Sequence, residues 1–356
     1  MNLGTRVTPE TTDVVARLST LDRFLPLWIG LAMGAGLALG AIFPDLDSQL
    51  DSVKVDTVSL PIAMGLLLMM YPVLAKVRYG QVRADGGNRR VYGLTLFFNW
   101  VIGPLLMFGL AWLFLDDQPG LRTGLVIVGI APCIAMVLIW NDLAFGNRES
   151  AAVLVAINAL VQILLFSVYG WFYLTVLPDW LGLDTAGIDV SAWDIACSVL
   201  IFLGIPLVLG YLSRRLGERV KGVEWYEGRY LPRIGPIALY GLLLTIVFLF
   251  AMQGDRITHD PLDVARVALP LAIYFAVMWG ASFLLAHRMR LPYDQAVTVA
   301  FTSAGNNFEL AIAVCIAVFG ITSDQALAGT VGPLIEVPAL IALVYVALRA
   351  RRHFAQ

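Results

Sequence analysis

The chain has 356 residues, of which 59% are hydrophobic and only 14% charged, with a formal net charge of −2 and a mean hydropathy of +0.79. Soluble domains run at about 45–50% apolar and about 25% charged residues, so this composition excludes a water-soluble globular domain and calls for lipid as a second apolar solvent. The near-neutral total says little by itself, and no nucleic-acid partner is expected from it.

In chain order, residues 1–22 are polar and lack the apolar run and small-residue cleavage site of a signal peptide. They read as a cytoplasmic tail, with the first span as an uncleaved insertion signal. Stretches long enough to cross a bilayer follow at 23–43, 57–75, 91–115, 121–140, 150–177, 191–212, 234–253, 264–286, 294–320 and 324–348. Residues 349–356 form a second tail. Backbone amides in lipid must be satisfied within their own segment, so the spans are helices, and the short alternating segments of an outer-membrane barrel are absent. The expected fold class is an all-α membrane protein of ten transmembrane helices.

Charge sets the orientation. With the N-terminus in the cytoplasm, Arg6, Arg17, Arg23, Lys76, Arg78, Arg83, Arg89, Arg90, Arg148, the Arg214–Arg233 cluster, Arg288, Arg290, Arg349, Arg351 and Arg352 share one side. Only Lys54, Arg122, Arg256 and Arg266 fall on the other, where loops carry Asp179, Asp184, Asp189 and Asp194. This asymmetry predicts an inner-membrane protein with both termini cytoplasmic.

The halves, 23–177 and 178–348, resemble one another. Pro61-Ile62-Ala63-Met64-Gly65-Leu66-Leu67-Leu68 matches Pro236-Ile237-Ala238-Leu239, then Gly241-Leu242-Leu243-Leu244 after Tyr240 as one insertion. Ala152, Val155, Val168 and Tyr169 match Ala328, Val331, Val344 and Tyr345. Five spans per half is odd, so the second copy is inverted, and inverted repeats place a binding site at the midplane between broken helices. Span four offers Gly124, Gly129 and Pro132; span nine offers Thr302-Ser303-Ala304-Gly305-Asn306-Asn307, a run of poor helix formers. The offset of the later matches sets Cys133 opposite Glu309 as its symmetry mate.

Deep acidic residues are confined to Glu309 and Glu336. An ionised carboxylate there is costly unless paired or protonated, which makes both candidates for carrying a proton. Asn306 and Asn307 stand beside Glu309 as candidate binding groups. Cys133, next to Pro132 in a break, is a soft donor suited to a thiophilic ion, although a free cysteine in an apolar helix is more often a small packing residue. Cys197 and Cys315 read as packing, and three cysteines imply no disulfide framework. Asn141 and Asp142 close span four as a solvated end, a gate or a proton entry. His259, His287 and His353 fall in loops or the tail. No nucleophile elbow, metal-spaced pair or phosphate-binding loop appears, so neither an enzyme nor a cofactor is expected.

Three segments resemble the arsenical-resistance-3 arsenite permeases: Ala131-Pro132-Cys133 through Ala144, Asn306-Asn307-Phe308-Glu309 through Val314, and Gly332-Pro333-Leu334-Ile335-Glu336-Val337-Pro338. The likeness runs over essentially all ten spans. It implies the fold of the bile acid/arsenite/riboflavin transporter superfamily: a 5+5 inverted repeat with panel and core domains, broken helices four and nine crossing at the midplane. It implies export of arsenite, sometimes antimonite, in exchange for protons, with transport depending on Cys133 and Glu309. An arsenite-stimulated ATPase subunit remains open. Pro132 departs from the arginine common before the cysteine, and Gly305 from a common serine. A sodium-coupled organic-anion symporter on the same fold is the rival reading, with Asn306, Asn307 and Glu309 supplying part of a cation site.

Overall fold

A computed structural model describes residues 24–43, 54–55, 58–77, 89–184, 191–259 and 261–354. The expected tail 1–22, Arg23, the loop residues Arg78, Arg83 and Asp189 and the last two residues lie outside the described residues.

Helix α1 (Leu25–Ile42) is followed by a two-residue hairpin, β1 (Lys54–Val55) paired antiparallel with β2 (Val58–Ser59), and by α2 (Leu60–Ala75). Helix α3 spans Arg89–Phe114, α6 Arg148–Trp180 and α7 Ala192–Lys221. Between α3 and α6 lie two short pieces, α4 (Pro119–Gly129) and α5 (Val137–Leu143). Helix α8 (Leu231–His259) is entered through a short lead, Val223–Trp225, and a wide turn, Tyr226–Tyr230. Then come α9 (Pro261–Arg288), α10 (Tyr293–Ala304), α11 (Phe308–Phe319) and α12 (Asp324–Ala350). Among the described residues six helices are long and apolar enough to cross a bilayer, and α1, α2 and α11 are shorter apolar helices. The expected spans 121–140 and 294–320 are each interrupted, over 130–136 and 305–307.

Four π-type turns widen the long helices at Phe98–Ile102, Phe172–Val176, Leu200–Gly204 and Tyr226–Tyr230. Each ends two residues before a proline: Pro104, Pro178, Pro206 and Pro232. A proline inside a helix removes one N–H and its ring clashes with the carbonyl four residues back. One extra residue in that turn relieves the clash while the helix continues. The expected spans thus survive their prolines.

The helices pack in two groups. In one, α8 lies along α1 and α2, and α7 lies on α2. The α2–α8 crossing is close because Gly65 faces Gly241: a Cβ on Gly241 would sit 2.9 Å from the Gly65 carbonyl oxygen. In the other, α4 packs on α12 and α3, α9 on α10, α12 and α3, and α11 on α12. The two groups meet where Ala192–Val199 of α7 packs on α6 and α11. The outward surface is apolar, with Leu113, Leu164, Val220 and Leu262 exposed, and Trp180 and Trp193 stand exposed near helix ends, as in a lipid-facing belt with aromatic margins.

Candidate functional site

The two interruptions meet. Pro132 cannot donate a backbone hydrogen bond, and the residue before a proline disfavours the helical region, so α4 ends at Gly129 and the chain runs on unwound. In the other element Gly305 is extended (φ −74°, ψ 147°), and Asn307 caps α11, its side-chain oxygen accepting from the Leu310 N–H at 3.1 Å. The unwound segments pair antiparallel at Pro132 and Asn306. The Cys133 N–H donates to the Gly305 carbonyl at 3.0 Å, and the Asn307 N–H to the Ala131 carbonyl at 2.7 Å. These two bonds satisfy amides that lipid would leave without partners. They also exchange under a local two-fold that equates Ala131 with Gly305, Pro132 with Asn306, and Cys133 with Asn307. In this local pairing the partner of Cys133 is Asn307, two residues before the expected Glu309, because the backbone bonds pair Pro132 with Asn306.

Cys133 and Asn307 occupy matching positions in the paired segments, although only Asn307 caps a helix. The Cys133 thiol faces the backbone amides of Ala135 and Val137, as the Asn307 side chain faces that of Leu310. Cys133 is 1% exposed, Glu336 2% and Glu309 7%. Glu309 lies in the first turn of α11, where a helix N-terminus favours negative charge. Glu336 comes from α12, between Pro333 and Pro338; its carboxylate faces the Asn306 amide, while Oε1 has no hydrogen-bond partner. Both carboxylates interact electrostatically with the Cys133 thiol, and among the described residues neither belongs to an ion pair.

Gly305 marks the space they share. A Cβ there would lie 3.0 Å from Cys133 Cβ, 3.3 Å from Glu336 Oε1 and 3.5 Å from Cys133 Sγ, so a soft donor and an unpartnered oxygen flank a narrow gap that a single methyl group would fill. Of the residues singled out from sequence, Cys133, Glu309, Glu336, Asn306 and Asn307 are all brought to this crossing. Both asparagines donate: Asn306 Nδ2 to the Val128 carbonyl at 2.9 Å and Asn307 Nδ2 to Gln162 Oε1 at 3.0 Å, while Asn306 Oδ1 has no hydrogen-bond partner. Cys315 is buried in α11, and Cys197 lies in α7.

Several partners gave no signal in the sequence. Gln162, fully buried on α6, also donates from Nε2 to the Pro132 carbonyl. Tyr274 of α9 sets its hydroxyl beside the Asn306 side chain. Asn99 of α3 donates to Asn158 of α6 at 3.3 Å. A polar residue spaced a turn from its like, as Asn158 is from Gln162, was the available clue.

Two outlying arginines prove to be loop staples. Arg122 is buried over the Trp112 ring, 3.7 Å to its centroid, and donates to the carbonyls of Asp116 at 2.7 Å and Asp184 at 3.1 Å. Arg266 binds Asp117, and that hydrogen bond holds the Asp117 carboxyl below the usual carboxylate range. Asn141 is buried at the far end of α5, accepting from the Thr298 hydroxyl at 2.8 Å. Asp142 beside it lies 3.5 Å from Arg148. Of the histidines, His287 lies in the last turn of α9, its ring centroid 4.5 Å from that of Phe354.

Residues 63–260 match the model of the Sodium Bile acid symporter family. The chain is 56% identical to the Arsenical-resistance protein Acr3 of Corynebacterium glutamicum, over 95% of this chain and 92% of that relative. It is 36% identical to an uncharacterised transporter of Synechocystis sp., over 95% and 91% of the two chains. To the Arsenical-resistance protein Acr3 of Alkaliphilus metalliredigens it is 30% identical over 94% of each. The protein is thus a multi-pass membrane transporter and not an enzyme, and it belongs to the Acr3 arsenical-resistance family within the sodium bile acid symporter family.

Proposed function

We propose that this protein exports arsenite, and antimonite as a chemically similar cargo, from the cytoplasm in exchange for protons. The observation that carries the reading is the gap at Gly305, bounded by the Cys133 thiol and the unpartnered Glu336 Oε1 where the two broken elements cross. At neutral pH arsenite is mainly the uncharged trihydroxide, with a soft centre and three O–H donors. A thiol suits the soft centre, and buried carboxylate oxygens suit the O–H groups. Cys133 engages arsenic reversibly: as the As–S bond forms, the thiol proton leaves with one hydroxide as water, and hydrolysis reverses the step.

Glu309 and Glu336 couple the cargo to protons. Each carboxylate accepts a charge-assisted bond from a solute hydroxyl when ionised and only a weaker neutral one when protonated, so solute and proton weaken one another's binding. The surrounding architecture fits ten spans arranged as two inverted halves. The facing Gly65 and Gly241, and the exchange-symmetric bonds of the crossing, support that arrangement. In this reading α1, α2, α7 and α8 form a panel, the remaining helices form a core, and both termini are cytoplasmic. Rocking of core against panel then carries the crossing from one side to the other.

Proteoliposomes should show arsenite movement driven by a pH gradient. Cys133→Ser and Glu309→Gln should each lower the rate by at least about 10², the effect of removing a group that acts in the rate-limiting step. Arsenite movement indifferent to the gradient, or both variants at the wild-type rate, overturns the reading. The family description favours a second reading, sodium-coupled uptake of an organic anion. Against it, Asn307 Oδ1, one of the oxygens a cation site would recruit, already accepts from the Leu310 N–H, and the Cys133 thiol at the crossing is a poor ligand for a hard cation. Sodium-dependent transport with no effect of arsenite would select it.

A further inference from the structure

Among the hydrogen bonds of the described residues, those of Gln162 reach neither the thiol nor a carboxylate, yet they join the two unwound segments to a third helix. Its Nε2 donates to the carbonyl of Pro132, the residue before the thiol. Its Oε1 accepts from Asn307 Nδ2 at 3.0 Å, and the other end of that same Asn307 side chain caps the helix whose first turn carries Glu309. The residue is fully buried, and each bond uses one face of its amide. We propose that Gln162 is a positioning residue for transport, holding the Cys133 segment and the Glu309 half-helix in one register so that thiol and carboxylate stay at the same crossing. This rests on the reading of the crossing as the transport site.

The pattern needs a donor on one side and an acceptor on the other. Leucine supplies neither. Glutamate supplies the acceptor always and the donor only when protonated, since its O–H can then replace Nε2 toward Pro132. Aspartate, asparagine or histidine would not reach the same two points. The titratable groups at this level are Cys133, Tyr274, Glu309 and Glu336, while Arg89 and Arg90 of α3, Asp142 of α5, Asp194 of α7 and Asp294 of α10 lie near the ends of the helices packed on α6. All of them are common to every variant, so division by the parent at each pH removes their contribution.

The test is alkylation of Cys133 by a membrane-permeant maleimide in the full-length protein carrying Cys197→Ser and Cys315→Ala. With two buried hydrogen bonds lost, Gln162→Leu should label about tenfold faster than the parent. Gln162→Glu should label at the parent rate in acid and approach the leucine variant as pH rises. Should the leucine variant not assemble, the glutamate variant decides alone. Labelling of both variants at the parent rate across the pH range overturns the proposal, as does a glutamate variant whose ratio to the parent is flat and raised, which marks simple packing. Labelling does not require arsenite transport: the expected pattern in a protein that fails to move arsenite leaves the positioning role standing and removes the functional reading alone.

Discussion

Asp142 is the titratable residue whose environment speaks most directly to stability. It lies near the C-terminal end of α5 at the membrane margin, and burial raises its carboxyl above the usual range, with Arg148 and Asn141 opposing that shift. A carboxyl that binds its proton more tightly folded than unfolded contributes stability at low pH. That contribution is lost as pH rises through the folded value. Asp142→Asn removes the penalty, so its Tm in detergent should exceed the parent's by a degree or two at about pH 8, the difference closing by about pH 4. A lower Tm at the alkaline end would mean that Arg148 outweighs desolvation. Site chemistry at this scale was largely legible. Glu309 and Glu336 stand out because carboxylates are scarce in apolar spans, and Cys133 because it follows a helix-breaking proline. Gln162 and Tyr274 did not stand out, because an uncharged polar residue in a long helix is common and its two bonds depend on segments about 30 and 145 residues away.

Among elements, α11 and α12 show how tightly the interrupted segments are seated. A Cβ on Gly332 would fall 1.8 Å from the Phe308 ring, and Phe308 is the fully buried first residue of α11. No rotation of an alanine methyl avoids that ring, so Gly332→Ala must displace Phe308 and with it the turn that holds Glu309. Overpacking of this kind costs about 1–3 kcal/mol; the Tm should fall by several degrees, and transport should fall with it. An unchanged Tm would show that the ring relocates freely. The element boundaries were readable wherever proline, glycine or asparagine dictates local geometry, as at both interruptions. The four widened turns follow from prolines equally visible in the sequence, but whether a proline kinks, breaks or widens a helix depends on what packs against the freed carbonyl.

For the whole molecule, the two helix groups are joined at one end. Gln253 of α8, 1% exposed, donates to the Ile321 carbonyl between α11 and α12 at 2.7 Å, beside the contact of Ala192–Val199 with α11. In the orientation proposed from the loop charges this is the outer end. At the opposite end the C-terminal turn is pinned to α9 and the start of α10, with Arg351 over the rings of Phe145 and Tyr293 and Phe354 against Phe283, His287 and Tyr293. If core and panel rock, breaking the outer join shifts the population toward the outward-open state. Gln253→Leu should therefore raise labelling of Cys133 by a membrane-impermeant thiol reagent added outside, by about five- to tenfold for the loss of one buried hydrogen bond. Labelling at the parent rate would rule out the join as a gate.

The sequence by itself determined that the chain lies in a membrane, that it is helical, and where its helices must fail. Those properties follow from local hydrophobicity and from the backbone chemistry of proline, glycine and asparagine, which act over a few residues. Only the tertiary structure decided that the two failures pair with each other, that the thiol's counterpart in that pairing is a capping asparagine, and that the unpartnered oxygen across the gap belongs to Glu336. Hydrogen bonds between segments more than 170 residues apart set that register, and a difference of two residues in pairing is invisible until the backbones meet.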